Sequence, residues 1–129
     1  MVGETEWAGR FEEFEIDGRN FLHADFSGLE LPGEIIEGFE RLNALVSRYP
    51  ENSLNLISDI SGLKFDSGIN KVAAKYTALN ARHVRYDVII GADGVRRMLA
   101  KALMRLSGRR NFHFCFSKEE AVQWLLSHD

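Results

Sequence analysis

Two periods share this chain from end to end. Apolar residues at every second position mark strands, and apolar residues at three- and four-residue steps mark helices. Phe11, Phe14 and Ile16 are interleaved with acids, Asp17-Gly18 supplies a tight turn, and Asn20 to Phe26 resumes the alternation, so the first two strands form an antiparallel hairpin. Pro32 opens a helix whose Ile35, Phe39, Leu42, Val46 and Tyr49 line one face until Pro50 forbids continuation. Leu54 to Ile60 is the third strand. Ile69, Val72, Ala73, Tyr76 and Leu79 mark a second helix that ends near Asn80. Tyr86 to Ile90 is a short buried strand and Asp93 reads as an N-cap. The helix after it turns Val95, Met98, Leu99, Ala102, Leu103 and Leu106 inward until Gly108 stops it. Phe112 to Phe116 is the last strand, Ser117-Lys118-Glu119-Glu120 is a capping box, and the closing helix buries Ala121, Trp124 and Leu125.

Strand, strand, helix and then three strand-helix units require crossovers, which return the chain as a parallel neighbour through a right-handed connection. The predicted fold class is therefore α/β: a mixed sheet of about five strands, an N-terminal hairpin followed by parallel strands, covered by four helices. A length of 129 residues with 45% hydrophobic content suits one domain, 1–129, around a single core. No apolar run reaches the roughly 20 residues that span a bilayer, and the acidic start Met1 to Glu6 lacks the regions of a secretory signal. A cytoplasmic protein is expected.

Charge adds a second layer to this picture. The net charge of -3 hides a lopsided distribution: residues 1–40 set eleven acids against Arg10 and Arg19, while residues 71–110 are dominated by Lys and Arg. Such asymmetry orients an encounter with a charged partner unless the acidic and basic elements lie side by side and neutralise each other. Arg97, Lys101 and Arg105 step by four along one helix side as a basic stripe, either a solvated face or a surface for an acidic protein, a phosphoinositide-like head group or nucleic acid. The acidic total and the lack of interleaved aromatics speak against nucleic acid.

Candidate chemistry is sparse. Cys115, the only cysteine, sits in the apolar run Phe112 to Phe116 and reads as a small buried hydrophobe. His23, His83, His113 and His128 are scattered singly, so no metal site and no cofactor are predicted. His23 and Asp25 share a strand face but have no identifiable nucleophile, which leaves no catalytic residue to name. Asp66 or Ser67 caps the helix after the third strand, and a phosphate on Ser67 would be held there by unpaired backbone amides. Gly91 and Gly94 follow a buried strand and open a helix, a setting in which amides cradle an anion, with Arg96 and Arg97 as the nearest cations. The pair lacks the third glycine of a dinucleotide fingerprint and the Lys-Ser/Thr of a P-loop.

The stretch Asp59-Ile60-Ser61-Gly62-Leu63-Lys64-Phe65-Asp66-Ser67-Gly68 resembles the signature of the STAS domain family, the module of anti-sigma-factor antagonists and sulfate-transporter tails. There a strand ends Asp-Leu-Ser-x-Val-x-Phe-x-Asp-Ser-Ser-Gly-Leu, and the serine before the glycine is phosphorylated in the antagonists. Here Phe65-Asp66-Ser67-Gly68-Ile69 is two residues shorter between aromatic and glycine. Gly91-Ala92-Asp93-Gly94-Val95 with the later Phe114, Glu119-Glu120-Ala121 and Trp124-Leu125 is similar to a branch of small bacterial STAS-like proteins grouped with SEC14-like lipid-binding domains.

The resemblance implies a non-enzymatic regulatory or adaptor module that meets another protein, of regulatory-kinase or sigma-regulator type, through Asp59 to Lys71. Asp59, Asp66, Ser67 and Gly68 would then be the phospho-acceptor or partner-binding residues. The alternative is a carrier that holds a lipid or small anionic ligand beneath the first helix or at Gly91 to Gly94. Exposed sheet edges also permit a homodimer.

Overall fold

The chain is described here from a computed structural model covering residues 2–64 and 66–128. Its sheet has five strands in sequential order: β1 (Phe11–Ile16), β2 (Arg19–Asp25), β3 (Leu54–Asp59), β4 (Val84–Ile90) and β5 (Phe112–Cys115). The β1 and β2 strands pair antiparallel across the Asp17-Gly18 turn, where both residues have positive φ, and every later pairing is parallel. The fold is α/β with a mixed sheet, as the periodicity requires.

Strand order dictates where the helices go. The helices α2 (Pro32–Val46), α3 (Ser67–Asn80) and α4 (Gly94–Ser107) each connect a strand to its next neighbour in one direction across the sheet. Right-handed crossovers that always step the same way place all their helices on the same face. Accordingly α2 packs on α3 and α3 on α4. The last helix, α5 (Lys118–Ser127), follows the final strand, so no crossover constrains it; it covers β3 to β5 on the opposite face.

Strand alternation therefore feeds two apolar clusters. Leu22, Leu56 and Ile89 face the three-helix layer, while Phe21, Ile57 and Val88 face α5 with its Ala121 and Leu125. Arg19 and Arg85 reach under α5 to donate to its C-terminal carbonyls, including Leu125 O at 3.3 and 3.0 Å.

A fifth helix, α1 (Glu4–Arg10), precedes the sheet and raises the count above the expected four. It is seven residues long; its one buried side chain, Trp7, stacks on Phe11 at 5.9 Å, and Arg10 donates to the Asp25 and Ser27 carbonyls at 3.1 and 2.9 Å. The indole fits because residue 38 is glycine; a Cβ there would lie 2.9 Å from the Trp7 ring and 2.6 Å from Phe26.

The second departure concerns the roll of α3 and α4. Val95, Met98 and Leu106 were expected inside and are 70%, 71% and 63% exposed; Leu79 points outward too. Leu103 is buried as expected, joined by Ala100 and Met104 on α4 and by the polar Asn70, Thr77 and Asn80 on α3. A buried guanidinium explains the substitution. Arg109 donates to the Thr77 carbonyl at 3.1 Å, to Asn80 Oδ1 at 2.6 Å and to Asp87 Oδ2 at 3.2 Å. Asn70 donates to the Leu99 carbonyl. Unpaired polar groups in an apolar interior are more expensive than exposed leucines, so the polar network sets the rotation of both helices.

Candidate functional site

Three loops meet beyond the carboxyl ends of the parallel strands, the position where open α/β sheets present their sites. After β3, the Asp59 carboxylate accepts from the Ser61 amide at 2.9 Å and turns the chain away from the strand. The Gly28 amide donates to the Ser61 carbonyl at 2.8 Å and that of Lys64 to the Leu29 carbonyl at 3.0 Å, which pins this corner to the loop after β2. Asp66 then caps α3, accepting from the Ile69 amide at 2.8 Å. Of the two candidate caps it is therefore Asp66 that serves. Ser67 is the first helical residue, exposed beside the exposed Gly68, and its hydroxyl is not needed for the cap. Phe65, the aromatic of the signature, lies outside the described residues.

The loop after β4 is pressed against this corner. Gly91 has φ 78°, and a Cβ there would run into Ser61, with the Ser61 amide nitrogen at 2.7 Å. Gly94 also has positive φ, at 45°, but faces open space. Asp93 occupies the N-cap position of α4 without making the cap bond; its carboxylate pairs with Arg96 at 3.2 Å instead. Arg96 also donates through Nε to the Leu63 carbonyl at 2.9 Å, tying the two loops together. Arg97 lies over the Phe114 ring at 4.5 Å.

Ser61, Gly91, Arg96, Arg97, Phe114 and Phe116 thus line a half-open cleft of about 500 Å³. The structure gathers three of the four predicted anion-binding residues here. The fourth, Gly94, is exposed at the helix start, and Asp66, Ser67 and Gly68 stand outside the cleft on the α3 side. Phe116, 91% exposed at the end of β5, was assigned to a strand and not to a site; its place on the rim follows only from β5 neighbouring β4.

The interior between sheet and helices is nearly solid. The cavity among Phe39, Leu56, Ala100 and the Asp87 and Arg109 pair measures about 40 Å³, enough for a water or two and far below the several hundred Å³ of a ligand pocket. No lipid fits beneath α2 without rearrangement.

The remaining candidates do not converge. Cys115 is buried on β5, and burial, reinforced by Glu120, pushes its thiol up to about 11, so almost no thiolate forms at neutral pH. His23 stands on β2, three strand spacings or about 14 Å away. The two cannot act as nucleophile and base. Among the described residues no cluster of His, Cys, Asp and Glu has the arrangement of a metal site, and no helix is long and apolar enough to cross a membrane.

His23 carries a prediction of its own. Its Nε2 is buried with no hydrogen-bond partner among the described residues. Burial holds the imidazole pKa below 6.5 and Lys118 adds to this, while Asp25, Asp59 and Glu12 oppose it. A depressed folded-state pKa gives stability that is complete above 6.5 and lost as pH falls through the lower folded value. Urea midpoints between pH 7 and 5 should fall more steeply for the native chain than for His23→Gln; parallel profiles would remove His23 as the cause.

No family model, curated protein or solved structure matches this chain.

Proposed function

We propose that this protein is a STAS-type regulatory or adaptor module that works in the cytoplasm without catalysis and binds a partner protein through its β3–α3 corner, residues 59–71. The observation that carries this reading is the pairing of a filled interior with an exposed, rigidly braced corner at which Ser67 is free of the capping bond. A phosphate on Ser67 would bring roughly -1.5 to -2 charges to the first turn of α3 beside Asp66. The change is local. It would repel an acidic partner or recruit a basic one while the fold stays intact, since Asp66 continues to cap the helix. The element order and the Asp59 to Gly68 stretch support the family reading; the short spacing between Phe65 and Gly68 is the departure a partner would have to tolerate.

Coexpression with candidate sigma-regulating kinases should give a complex that weakens at least tenfold on Ser67→Asp and keeps its affinity on Ser67→Ala. Equal affinity for both variants would take Ser67 out of the mechanism.

A second reading rests on the cleft at Gly91. Its volume suits a small anionic metabolite, with Arg97 as the cation not engaged in an ion pair among the described residues. Native mass spectrometry of the gently purified protein separates the two readings, because a carrier retains its ligand.

A further inference from the structure

The roll of α3 and α4 leaves an apolar stripe in solvent. Val95, Met98 and Leu106 are exposed, with the half-buried Leu99 and Ala102 between them, and the five share one helix face over about 16 Å. Beside it, Ala74 and Ala78 of α3 floor a groove of about 290 Å³, walled by Lys71, Lys75 and Leu106. Lys101 and Arg105 run along its flank, while Arg97, one turn earlier in the same row, lies over Phe114. Neither Lys71, Lys75, Lys101 nor Arg105 forms an ion pair with any described residue. Large exposed apolar side chains concentrate on this end of the molecule: of six among the described residues, only Leu31 is outside α3, α4 and the end of β5.

We infer that the α3–α4 face is a docking groove for an acidic amphipathic helix of a partner protein. The inference rests on the partner-binding reading above but uses a different surface, which meets the corner only at Lys71. Charge selects the occupant first. Two copies of this chain meeting face to face would oppose cations to cations, so a two-fold dimer through the groove is disfavoured. A head-to-tail contact would offer the acidic β1 and α2 end of a second copy, yet among the described residues that end exposes only Leu31 as a large apolar side chain to meet the stripe. Shape selects next. A concave groove between two packed helices accepts the ridge of a third, whereas a flat anionic membrane would reach the α4 ridge and miss the alanine floor. Met98 at the centre of the stripe supplies an adaptable contact.

The probe is a synthetic 18-residue helix with Leu at i, i+3, i+4 and i+7 positions flanked by Glu, against a peptide of the same composition with the period scrambled. The periodic peptide should bind at least tenfold more tightly than the scrambled one by fluorescence anisotropy. Met98→Gln with Leu106→Gln should weaken it at least tenfold, and Lys101→Glu with Arg105→Glu by a similar factor, the latter effect shrinking at high salt. These side chains are exposed, so thermal melting should be unchanged and separates lost binding from lost fold. Ser67→Asp should leave peptide affinity within twofold, which keeps this test distinct from that of the corner. Equal binding of both peptides, no binding at all, tighter binding to phosphatidylglycerol-containing vesicles, or concentration-dependent self-association abolished by Met98→Gln would each overturn the inference.

Discussion

Arg109→Met is expected to lower the unfolding free energy by about 3–5 kcal/mol, a large share of the roughly 5–15 kcal/mol that holds a domain of this size. The Arg109 and Asp87 side chains are only 1% and 5% exposed and lie 3.2 Å apart. The remaining Asp87 oxygen accepts from Ser58 at 2.9 Å, so the carboxylate is saturated only while the guanidinium is present. Burial pushes the Asp87 carboxyl above its ordinary value, opposed chiefly by Arg109, and pushes the Arg109 guanidinium down. Losing the cation leaves burial almost unopposed, and the Asn80 oxygen and Thr77 carbonyl lose a donor at the same time.

The sign of the pH effect follows from that raised carboxyl. In the variant the folded state holds a proton that the unfolded state has released, so stability falls as pH rises from 3.8 through the folded value and is partly regained on acidification. Denaturant titration at pH 7 and pH 5 checks both size and sign. Arg109→Met with Asp87→Leu should be more stable than Arg109→Met alone, because it removes the orphaned charge along with its partner. A loss under about 1 kcal/mol for the single variant would mean that water or rearrangement satisfies Asp87, and the network could not then be what rolls α3 and α4.

That network also marks the limit of what periodicity discloses. Strands, the α2 face with Ile35, Leu42 and Val46, and the Ser117 cap were legible because one physical rule governs each: alternation, a 3.6-residue stripe, a hydroxyl before Glu120. On α4 two apolar stripes overlap, and hydrophobicity alone prefers the one richer in large residues, Val95, Met98 and Leu106. The choice was made elsewhere, by a charge after the Gly108 stop that needs acceptors on α3 and β4. Asp87 inside the otherwise apolar Val84–Ile90 strand was the visible clue, since a lone acid there must find a buried partner. Trp7 gave no period because α1 is too short to have one.

The charge asymmetry behaves likewise. Sequential strand order puts the acidic β1 and α2 toward one sheet edge and the basic α4 toward the other; the two blocks meet only where α2 packs on α3, and α4 stays apart from the acidic end. Local pairs such as Lys118 with Glu12 at 2.5 Å and Arg41 with Glu4 and Glu37 neutralise the edges only in part.

The glycines of the Gly91-x-x-Gly94 turn look equivalent in sequence and should respond very differently to alanine. At Gly94 the cost is conformational alone, about 1 kcal/mol for a left-handed φ with open space around the new Cβ. At Gly91 the same penalty is joined by collision with Ser61, and overpacking of this kind adds roughly 1–3 kcal/mol. Gly91→Ala should therefore destabilise by about 3 kcal/mol and Gly94→Ala by about 1. The collision has a second consequence: Ser61 begins the corner that leads to Asp66 and Ser67, so displacing it should shift the Ser61 and Gly62 amide resonances and weaken partner binding beyond what the stability loss explains. Ser61→Gly in the Gly91→Ala background tests the cause. It removes the hydroxyl contact but leaves the backbone nitrogen and Cα at 2.7 and 2.8 Å from the new methyl, so rescue should be partial. Full rescue would locate the strain in one side chain, and no difference between the two alanine variants would mean that the loops are not braced against each other at all.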